Sequence, residues 1–438
     1  MSSILYAAIA DDDTGASDLA GMFVDRGVSM TMVLGSAEPA EVESWTKGSQ
    51  GVVFATGTRA LTPAEAYEKT ASAVGAAAKL SPRTIQIKYC STFDSTERGN
   101  IGPSIDAAMD TLSEPFTIAL PALPVNGRTT YCGYHFVKQR LLSDSNMRNH
   151  PLTPMTNPDL VDLLSRQTKR SVGLTPYAVV EHGPDEISRH WRELREQGCA
   201  ISIVDCLSDK HASDLSEAAC DMKLITGGSV FGTHLPPAWR RRGWISDDTP
   251  EPFGDLVIAE GHGALIVAGS CSVATLAQNK WIGDRGQVVI EIDPVHLLTN
   301  GFASEADAAV QSLRQGRTIL IKTQSTPSDI ARATTWGREQ GMEAGTLGLR
   351  IAHDLAQCIK GIVQTHRPRV LIIAGGETST AICRALGIRA LSVGRSIEPG
   401  VPLCVPVEGL GLPIVLKSGN FGTPEFYDIA IKAADGLR

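Results

Sequence analysis

Residues 9–16 read Ile9-Ala10-Asp11-Asp12-Asp13-Thr14-Gly15-Ala16, and they directly follow an apolar run that begins at Ile4. Three consecutive carboxylates are costly to bring together because each raises the pKa of its neighbours. The carboxyl ends of strands in open α/β sheets are also where ligands bind. The pattern predicts a buried strand that ends in a functional carboxylate set, which binds polyol hydroxyls or accepts a proton. The alternative is a solvated turn in which one aspartate caps the next helix.

Short apolar runs alternate with helix-like segments along most of the chain, which is typical of parallel sheets covered by helices. The predicted strands are Ile4–Ala10, Ser29–Leu34, Val52–Ala55, Ile85–Lys88, Phe116–Leu120, Ala200–Val204, Ala264–Ala268, Val288–Ile292, Thr318–Ile321, Val370–Ala374 and Ile414–Lys417. The predicted helices are Pro63–Lys79, Ile101–Leu112 and Leu347–Val363. Leu235–Glu260 interrupts this order with four prolines and little periodicity, which predicts a connection between domains. We therefore expect two α/β domains, at residues 1–240 and 241–438, with mostly parallel sheets flanked by helices.

Composition excludes several classes of function. The 438 residues carry 48 acidic and 40 basic side chains, a formal net charge of −8, so nucleic acid and anionic membranes have no basic surface to bind. No apolar stretch approaches the ~20 residues of a membrane helix, and the first residues lack the basic segment of a secretory signal. Nine cysteines without a Cys-x-x-Cys pair indicate reduced thiols, and ten histidines without metal-ligand spacing make a zinc site unexpected. We expect a cytoplasmic protein that binds small molecules; a homodimer is one oligomeric state that stays open.

A second polar group follows other predicted strands of the first half. Lys88 opens a hydroxyl-rich loop that contains Asp94 and Ser95, and Arg59 lies just past a neighbouring strand. Backbone N–H groups with Lys88 and Ser95 can hold a carboxylate or phosphate, and arginine suits a planar carboxylate. Taken alone, the loop is equally well explained as a surface loop.

Two further segments have no helical or strand period: Asn126-Gly127-Arg128 and Met147–Met155, the latter with two prolines. A surface loop is the simpler interpretation of both. Long loops in compact domains are more often functional than short ones, for instance as lids over a site.

Three turns rich in glycine and serine follow predicted strands in the second half, at Gly269–Ser272, Gly375–Ser379 and Lys417–Gly422. Turns that follow parallel strands can converge at one sheet edge, where helix N-termini and hydroxyls bind anions. The Walker A, Gly-x-Gly-x-x-Gly and protein-kinase signatures are absent from the sequence. The turns therefore predict a nucleotide or phosphate site of another kind.

Three functions are compatible with these motifs. The first is a two-domain small-molecule kinase with a sugar acid in the N-terminal domain and ATP in the C-terminal domain. The second is a phosphatase with Asp11 or Asp13 as nucleophile, although Thr14 precedes Gly15 in the reverse of the usual order and the glycine turns stay unexplained. The third is a non-catalytic sugar-acid binding protein whose domains close on the ligand.

The motifs resemble those of the four-carbon acid sugar kinase family. Ile9–Ala16 is similar to the family's Ile-Ala-Asp-Asp-Leu-Thr-Gly-Ala motif, with Asp13 in place of leucine, and the three later turns resemble its C-terminal hallmarks. Cys90–Gly102 and Met147–Met155 are most similar to the 3-oxo-tetronate 4-kinase branch. The resemblance implies ATP- and Mg²⁺-dependent phosphorylation of the 4-hydroxyl of a 3-oxo-tetronate, with erythronate or threonate as alternative acids; an Asp-dependent sugar phosphatase is less favoured.

The resemblance also implies roles for particular residues. The ATP contacts would be Ser270, Ser272, Gly376, Glu377, Thr378, Ser379 and Gly419. The substrate contacts would be Asp11, Asp12, Arg59, Lys88, Asp94 and Ser95. Arg59 and Lys88 are expected to hold the substrate carboxylate, while Asp12, or Asp11, orients the 4-hydroxyl and takes its proton. Domain closure is expected to bring donor to acceptor.

Overall fold

The structure, a computed structural model, describes residues 4–149, 153–248, 250–251, 253–254 and 256–437. Residues 150–152 of the predicted lid and residues 249, 252 and 255 of the predicted connection lie outside the described residues. The chain divides into two compact units, Met1–Pro252 and Phe253–Arg438. The boundary expected at 240/241 falls inside the last helix of the first unit, Val230–Arg241.

The first unit contains eleven strands and nine helices among its described residues. The strands are β1 (Tyr6–Ala10), β2 (Met30–Leu34), β3 (Gly51–Ala55), β4 (Thr84–Lys88), β5 (Thr117–Leu120), β6 (Arg128–Tyr131), β7 (Tyr134–Val137), β8 (Arg140–Leu141), β9 (Val172–Thr175), β10 (Ile201–Val204) and β11 (Leu224–Gly227). The helices are α1 (Asp13–Val24), α2 (Pro39–Trp45), α3 (Pro63–Lys79), α4 (Ile101–Leu112), α5 (Leu160–Ser165), α6 (Tyr177–Val180), α7 (Pro184–Glu196), α8 (Asp209–Ala219) and α9 (Val230–Arg241).

Eight of these strands form a parallel sheet in the order β2-β3-β1-β4-β11-β5-β10-β9. Helices cover both faces of such sheets, which is why β1, β3 and β4 are buried throughout and why β1 and β3 run as nearly continuous apolar sequence. Strand β1 lies between β3 and β4, with Ala10 in register with Ala55 and Lys88. The residues that follow these three strands are therefore neighbours.

The small sheet β6-β7-β8 is antiparallel and separate from the large one. Its strands are only two to four residues long, too short for a pattern to be predicted from the sequence. We call these three strands the appended sheet.

Helix α9 corrects one prediction. The prolines at 236 and 237 were expected in an irregular connection, but both lie inside this helix. An interior proline costs ~3 kcal/mol or more. Burial of Phe231, Leu235 and Trp239 stabilises the helix despite the two prolines. The ring of Trp239 stacks on that of Phe23, with the ring centroids 5.5 Å apart.

The second unit contains seven strands and seven helices among its described residues. The strands are β12 (Ala264–Ala268), β13 (Val288–Ile292), β14 (Thr318–Thr323), β15 (Val370–Ala374), β16 (Ala390–Glu398), β17 (Val401–Pro406) and β18 (Ile414–Lys417). The helices are α10 (Val273–Asp284), α11 (Pro294–Asn300), α12 (Ala303–Arg314), α13 (Pro327–Glu339), α14 (Ala344–Thr365), α15 (Gly376–Ala385) and α16 (Phe426–Asp435).

The sheet of the second unit has the order β13-β14-β12-β15-β18-β17-β16. Its first five strands are parallel, and β17 runs antiparallel to both of its neighbours. The prediction of α/β units with mostly parallel sheets is confirmed. None of the helices in the described part of the chain has the length and apolar character needed to span a membrane.

Candidate functional site

The carboxyl edge of the first sheet gathers the polar residues that follow its central strands. Asp11 and Asp12 follow β1, Arg59 lies in the loop after β3, and Lys88 is the last residue of β4. Two backbone hydrogen bonds tie these loops together, from Asp11 N–H to Lys88 O (3.0 Å) and from Arg59 N–H to Asp11 O (3.1 Å). The predicted convergence of these four residues is therefore observed.

The guanidinium of Arg59 is held by both aspartates. Its Nε and Nη2 donate to the two oxygens of Asp11 (2.8 and 2.9 Å), and its Nη1 and Nη2 donate to the two oxygens of Asp12 (3.0 and 2.9 Å). The nearest oxygen of Asp94 lies 4.0 Å from Nη1. Four of the five N–H groups of Arg59 are thus donated to Asp11 and Asp12, so Arg59 has little capacity left for a substrate carboxylate.

Asp12 is also the N-cap of α1. Its Oδ1 accepts from the backbone N–H of Gly15 (2.9 Å) and its Oδ2 accepts from the Thr14 hydroxyl (2.7 Å). A Cβ at position 15 would lie 2.4 Å from Asp12 Oδ1, so this close contact requires glycine. With the bonds from Arg59, both oxygens of Asp12 accept two hydrogen bonds each.

The two aspartates differ in their proton affinity. Burial raises the pKa of Asp11, and the opposing effect of Arg59 does not cancel it. Burial acts in the same direction at Asp12, but Arg59, Lys88 and the hydrogen bonds from Thr14 and Gly15 outweigh it and lower its pKa. Asp12 is therefore the more firmly ionised carboxylate and Asp11 the better proton acceptor.

Lys88 and Asp13 are both buried beside this pair. Lys88 Nζ donates to the carbonyl of Tyr89 (2.9 Å), and its charge acts on both Asp11 and Asp12. Asp13 lies in the first turn of α1, where a carboxylate is favoured by the helix dipole.

The loop after β4 places its two predicted residues differently. Asp94 faces Arg59 and accepts a hydrogen bond from the Thr92 hydroxyl. Ser95 instead accepts from Gln167 Nε2 (2.8 Å), and a Cβ at Gly99 would lie only 1.8 Å from its Oγ. Ser95 therefore stabilises the loop through Gln167, while Asp94 lies near Arg59 and its two aspartates.

Three further residues at this edge were not assigned a role from the sequence. Asp18, in the second turn of α1, accepts from the Ser229 hydroxyl just after β11, and its Oδ1 is buried without a partner among the described residues. Burial raises the pKa of Asp18, opposed by Lys88, Ser229 and Arg128. Arg128, the first residue of β6, has a buried Nε that likewise lacks a partner in the described structure. No local motif marks Asp18 or Ser229, since Asp18 is a single polar residue within α1 and Ser229 is a single polar residue at the start of α9.

The appended sheet is fastened to this edge by two buried side chains. His135 lies between the Thr130 hydroxyl (3.0 Å from Nδ1) and the Ser91 carbonyl (2.9 Å from Nε2). Burial lowers the pKa of His135 to about 4, so the neutral ring donates from Nε2 and accepts at Nδ1. Asp205 accepts three backbone N–H bonds, from Cys132, Gly133 and Tyr177 (2.7–2.9 Å).

In the second unit, the three predicted turns follow adjacent parallel strands, β12, β15 and β18. Ser272 caps α10, and its hydroxyl and that of Thr275 both donate to Gly419 O. A Cβ at Gly419 would lie 2.2 Å from Ser270 Oγ. Ser270, Ser272 and Gly419 are therefore packed against one another.

The turn Gly375–Ser379 opens helix α15. Gly375 is its N-cap at a φ of 129°, and Gly376, Glu377, Thr378 and Ser379 form its first turn. Gly269 packs against this turn, because a Cβ there would lie 2.1 Å from Thr378 Oγ1. The first N–H groups of a helix have no partner within the helix, so this terminus can bind an anion. Ser379 Oγ is buried and unpartnered within the described chain.

Lys417, at the end of β18, ties the turn around Gly419 to helix α10. It is fully buried, and its Nζ donates to Thr275 Oγ1 (3.0 Å) and to the carbonyls of Ser418, Gly419 and Phe421 (3.0–3.2 Å). Burial lowers its pKa from 10.5 to about 8, with Glu398 opposing the shift. The sequence placed Lys417 in a motif without giving it this role.

A cavity of about 270 Å³ adjoins the turns. It is lined by Gly269, Glu377 and Thr378 on one side and by apolar side chains of α13 and α14 on the other: Ile330, Ala333, Leu347, Ile351, Ala352 and Leu355. Polar side chains, among them Gln324 and Asp329, also line it, and a cavity that combines apolar walls with a few polar groups is typical of a small-molecule site. Across the described residues, no cluster of three or more His, Cys, Asp or Glu side chains could hold a metal ion.

Two family models match the chain, one in each unit. The sugar-binding N-terminal domain matches residues 6–235, and the nucleotide-binding C-terminal domain matches residues 265–427. They agree with the carboxylate-rich edge in the first unit and the glycine turns in the second. The class so defined is a two-domain enzyme that binds a sugar-like compound in one unit and a nucleotide in the other.

Relatives and solved structures cover almost the whole chain. Proteins named 3-oxo-tetronate kinase from Cupriavidus necator and Pseudomonas fluorescens are 36% and 38% identical, over 99% and 98% of this chain and 98% and 96% of theirs. A crystal structure from Salmonella typhimurium LT2, solved as a proposed tRNA synthase, is 30% identical with a TM-score of 0.83 over 98% of this chain and 99% of that one. Haemophilus influenzae protein HI1011 is 32% identical with a TM-score of 0.73 over 97% and 99%.

The chain belongs to the four-carbon acid sugar kinase family. The resemblance seen in its motifs is confirmed, and the protein is a phosphotransferase with an alcohol group as acceptor. Neither the phosphatase nor the binding-protein alternative receives support from these relatives.

Proposed function

We propose that the enzyme transfers the γ-phosphoryl group of ATP to the 4-hydroxyl of 3-oxo-tetronate, yielding 3-oxo-tetronate 4-phosphate and ADP. The observation that carries this proposal is the division of chemistry between the units. One sheet edge offers carboxylates and cations for a hydroxy acid, and the other offers helix N-termini and hydroxyls for phosphates. The names of the relatives supply the identity of the acid.

Asp11 is the base in this proposal, and Asp12 positions the group. The 4-hydroxyl oxygen attacks the γ-phosphorus, the bond from that phosphorus to the ADP oxygen breaks, and the hydroxyl proton passes to Asp11. Asp11 suits the task because its pKa is raised and each of its oxygens accepts only one bond from Arg59. Asp12 has both oxygens fully engaged, so it holds Arg59 and the start of α1 in place.

On the nucleotide side, the phosphates would lie against three neighbouring turns. Their N–H groups and hydroxyls come from Ser270, Ser272, Gly376, Glu377, Thr378, Ser379 and Gly419. The adenine ring of ATP would occupy the 270 Å³ cavity, which is lined by Thr378 and by apolar side chains of α14. The unpartnered Ser379 hydroxyl supports this placement, since a buried polar atom without a partner costs ~1–3 kcal/mol.

Mg²⁺ would enter with ATP in this proposal. Sites of this kind usually hold Mg²⁺ through phosphate oxygens and one or two carboxylates, and Glu377 in the first turn of α15 fits that limited donor set. When bound, the ion neutralises charge that develops on the transferring phosphoryl group. A kinase that consumes ATP works where ATP is plentiful, so we place the enzyme in the cytoplasm.

The test is ADP release, measured in a coupled assay with erythronate, threonate and their 3-oxo forms. We expect the highest kcat/KM with a 3-oxo-tetronate. Turnover confined to erythronate or threonate would overturn the proposed identity of the substrate but would still support kinase activity. Phosphate release from sugar phosphates, without any ATP-dependent reaction, would overturn the proposed reaction altogether.

A further inference from the structure

Arg128 stands out at the carboxyl edge of the first sheet because one of its buried donors has no acceptor among the described residues. Its hydrogen bond in the described structure runs from Nη1 to the Asn126 carbonyl (2.5 Å). Its Nε is buried and unpartnered. A carboxylate binds arginine side-on through Nε and Nη2, so the unpartnered Nε belongs to the edge that suits a bidentate carboxylate.

Arg59, the residue expected from the sequence to bind the substrate carboxylate, is already neutralised. Four of its N–H groups are donated to Asp11 and Asp12, and Asp94 lies 4.0 Å from Nη1. Binding a second carboxylate there would require breaking this arrangement.

The order of the strands separates the two arginines. Along the carboxyl edge, β3 carries Arg59, β1 carries Asp11, β4 carries Lys88, β11 carries Ser229, and the segment after β5 carries Arg128. At ~4.8 Å between strands, Asp11 and Arg128 belong to positions roughly 14 Å apart. An arginine side chain together with a four-carbon acid can span that interval, with Lys88 between them.

Asp18 occupies the interval beside Lys88. One of its oxygens accepts from Ser229, and the other is buried and unpartnered in the described structure. Its partner Ser229 follows β11, the strand next to β4 that ends in Lys88, and the charges of Lys88 and Arg128 both lower the pKa of Asp18. An unpartnered carboxylate oxygen next to a cation matches a hydroxyl adjacent to a bound carboxylate.

We propose that Arg128, assisted by Lys88, binds the carboxylate of the substrate, and that Asp18 accepts a hydrogen bond from the neighbouring 2-hydroxyl. The acid then lies with its carboxylate toward the appended sheet and its 4-hydroxyl toward Asp11. This inference rests on the proposed function, since it orients the sugar acid named there. It makes Arg128 the residue that selects acids over uncharged sugars.

The experiment compares 3-oxo-tetronate with erythrulose, in which a CH₂OH group replaces the carboxylate. Kinetics and calorimetric binding without nucleotide are measured on the full-length wild type, Arg128→Ala, Arg128→Lys and Arg140→Ala. Arg140 is the matched control because it is an exposed arginine on the same appended sheet. Circular dichroism and thermal unfolding establish that each variant folds.

Arg128→Ala is expected to weaken binding of 3-oxo-tetronate and to raise the KM for this acid by about 100-fold, because charge-assisted hydrogen bonds to the carboxylate are lost. Erythrulose, as substrate or as competitor, and ATP should be unaffected. Arg128→Lys keeps the charge without the fork and should lose about 10-fold. Arg140→Ala should match the wild type.

Two outcomes would overturn the inference: unchanged acid affinity in Arg128→Ala, or an equal loss for acid and erythrulose, which signals a purely structural role. Failure of the proposed function would look different, because the wild type itself would then neither phosphorylate nor bind a four-carbon acid.

Discussion

The protonation of Lys417 should control nucleotide binding in a way that can be separated from its effect on stability. Lys417 is buried, and its ammonium donates to one hydroxyl and three carbonyls of the turns that surround Gly419. With a pKa of about 8, the group is mostly charged at pH 7 and about one-tenth charged at pH 9. Raising the pH therefore weakens the anchor of the phosphate turns.

The effect on stability has the opposite sign. Folding lowers the pKa of Lys417 from 10.5 to about 8, so between these values the unfolded chain binds more protons than the folded one. Stability from this group is fully present above pH 10.5 and is lost as the pH falls through 8. The difference of 2.5 pH units corresponds to ~3 kcal/mol. Raising the pH should therefore stabilise the second unit while loosening its nucleotide site.

The assay measures KM for ATP and thermal unfolding between pH 7 and 10.5 in the wild type and in Lys417→Met. In the wild type, KM should rise through an inflection near pH 8. The variant should have a high KM, ~10-fold or more above the wild type at pH 7, with little pH dependence. Lys280→Met, at an exposed lysine of α10, is the control and should resemble the wild type.

A flat KM across this range in the wild type would refute the reasoning. An inflection that persists in Lys417→Met would also refute it, because another group would then be titrating.

Three further predictions concern the base, the phosphate turns and the core. Asp11→Asn should lower kcat by ~10²–10⁴-fold with little change in KM. Asp12→Asn should lower kcat by a smaller factor, because asparagine still caps α1. A larger loss of kcat in Asp12→Asn than in Asp11→Asn would return the role of base to Asp12. Gly269→Ala places a Cβ 2.1 Å from Thr378 Oγ1, so it should displace the start of α15 and raise KM for ATP about 10-fold. Gly361→Ala is the control, because a Cβ there would have nothing within 4 Å, and it should bind ATP normally. Equal KM values for the two variants would contradict the packing argument. Trp239→Ala should lower the free energy of unfolding by ~3–5 kcal/mol in urea titrations, and a loss below 1 kcal/mol would show that α9 is not held by this side chain.

The strands could be predicted where burial on both faces makes the sequence continuously apolar. Predictions such as Ala264–Ala268, Val370–Ala374 and Ile414–Lys417 match the observed strands because no polar residue interrupts them before the loop. The local sequence led to the wrong prediction at α9. The free-energy cost of two prolines in a helix can be read from the sequence, whereas the burial of Trp239 that offsets it is a tertiary effect.

The candidate site was predictable where function is concentrated in a short motif. Asp11 and Asp12 follow a strand of the first sheet, and the glycine turns follow adjacent strands of the second sheet. Within each unit, sheet topology therefore places these residues at one edge without any knowledge of side-chain contacts. The pairing of Arg59 with both aspartates was not predictable, since it depends on β3 lying next to β1. Asp18 and Ser229 meet across 211 residues of sequence, which no local pattern encodes.

The attachment of the appended sheet bears on how this architecture can change over evolutionary time. His135 fastens the appended sheet through a ring that stays neutral, and Asp205 fastens it by accepting backbone N–H bonds. The outward-facing residues of the sheet therefore take no part in this attachment. In the proposed mechanism, the base Asp11 follows a strand of the large sheet of the first unit, while Arg128 lies on the appended sheet. Substitutions in the appended sheet can therefore retune which acid is accepted and leave the phosphoryl-transfer machinery intact, which is how one scaffold can diversify into kinases for different sugar acids.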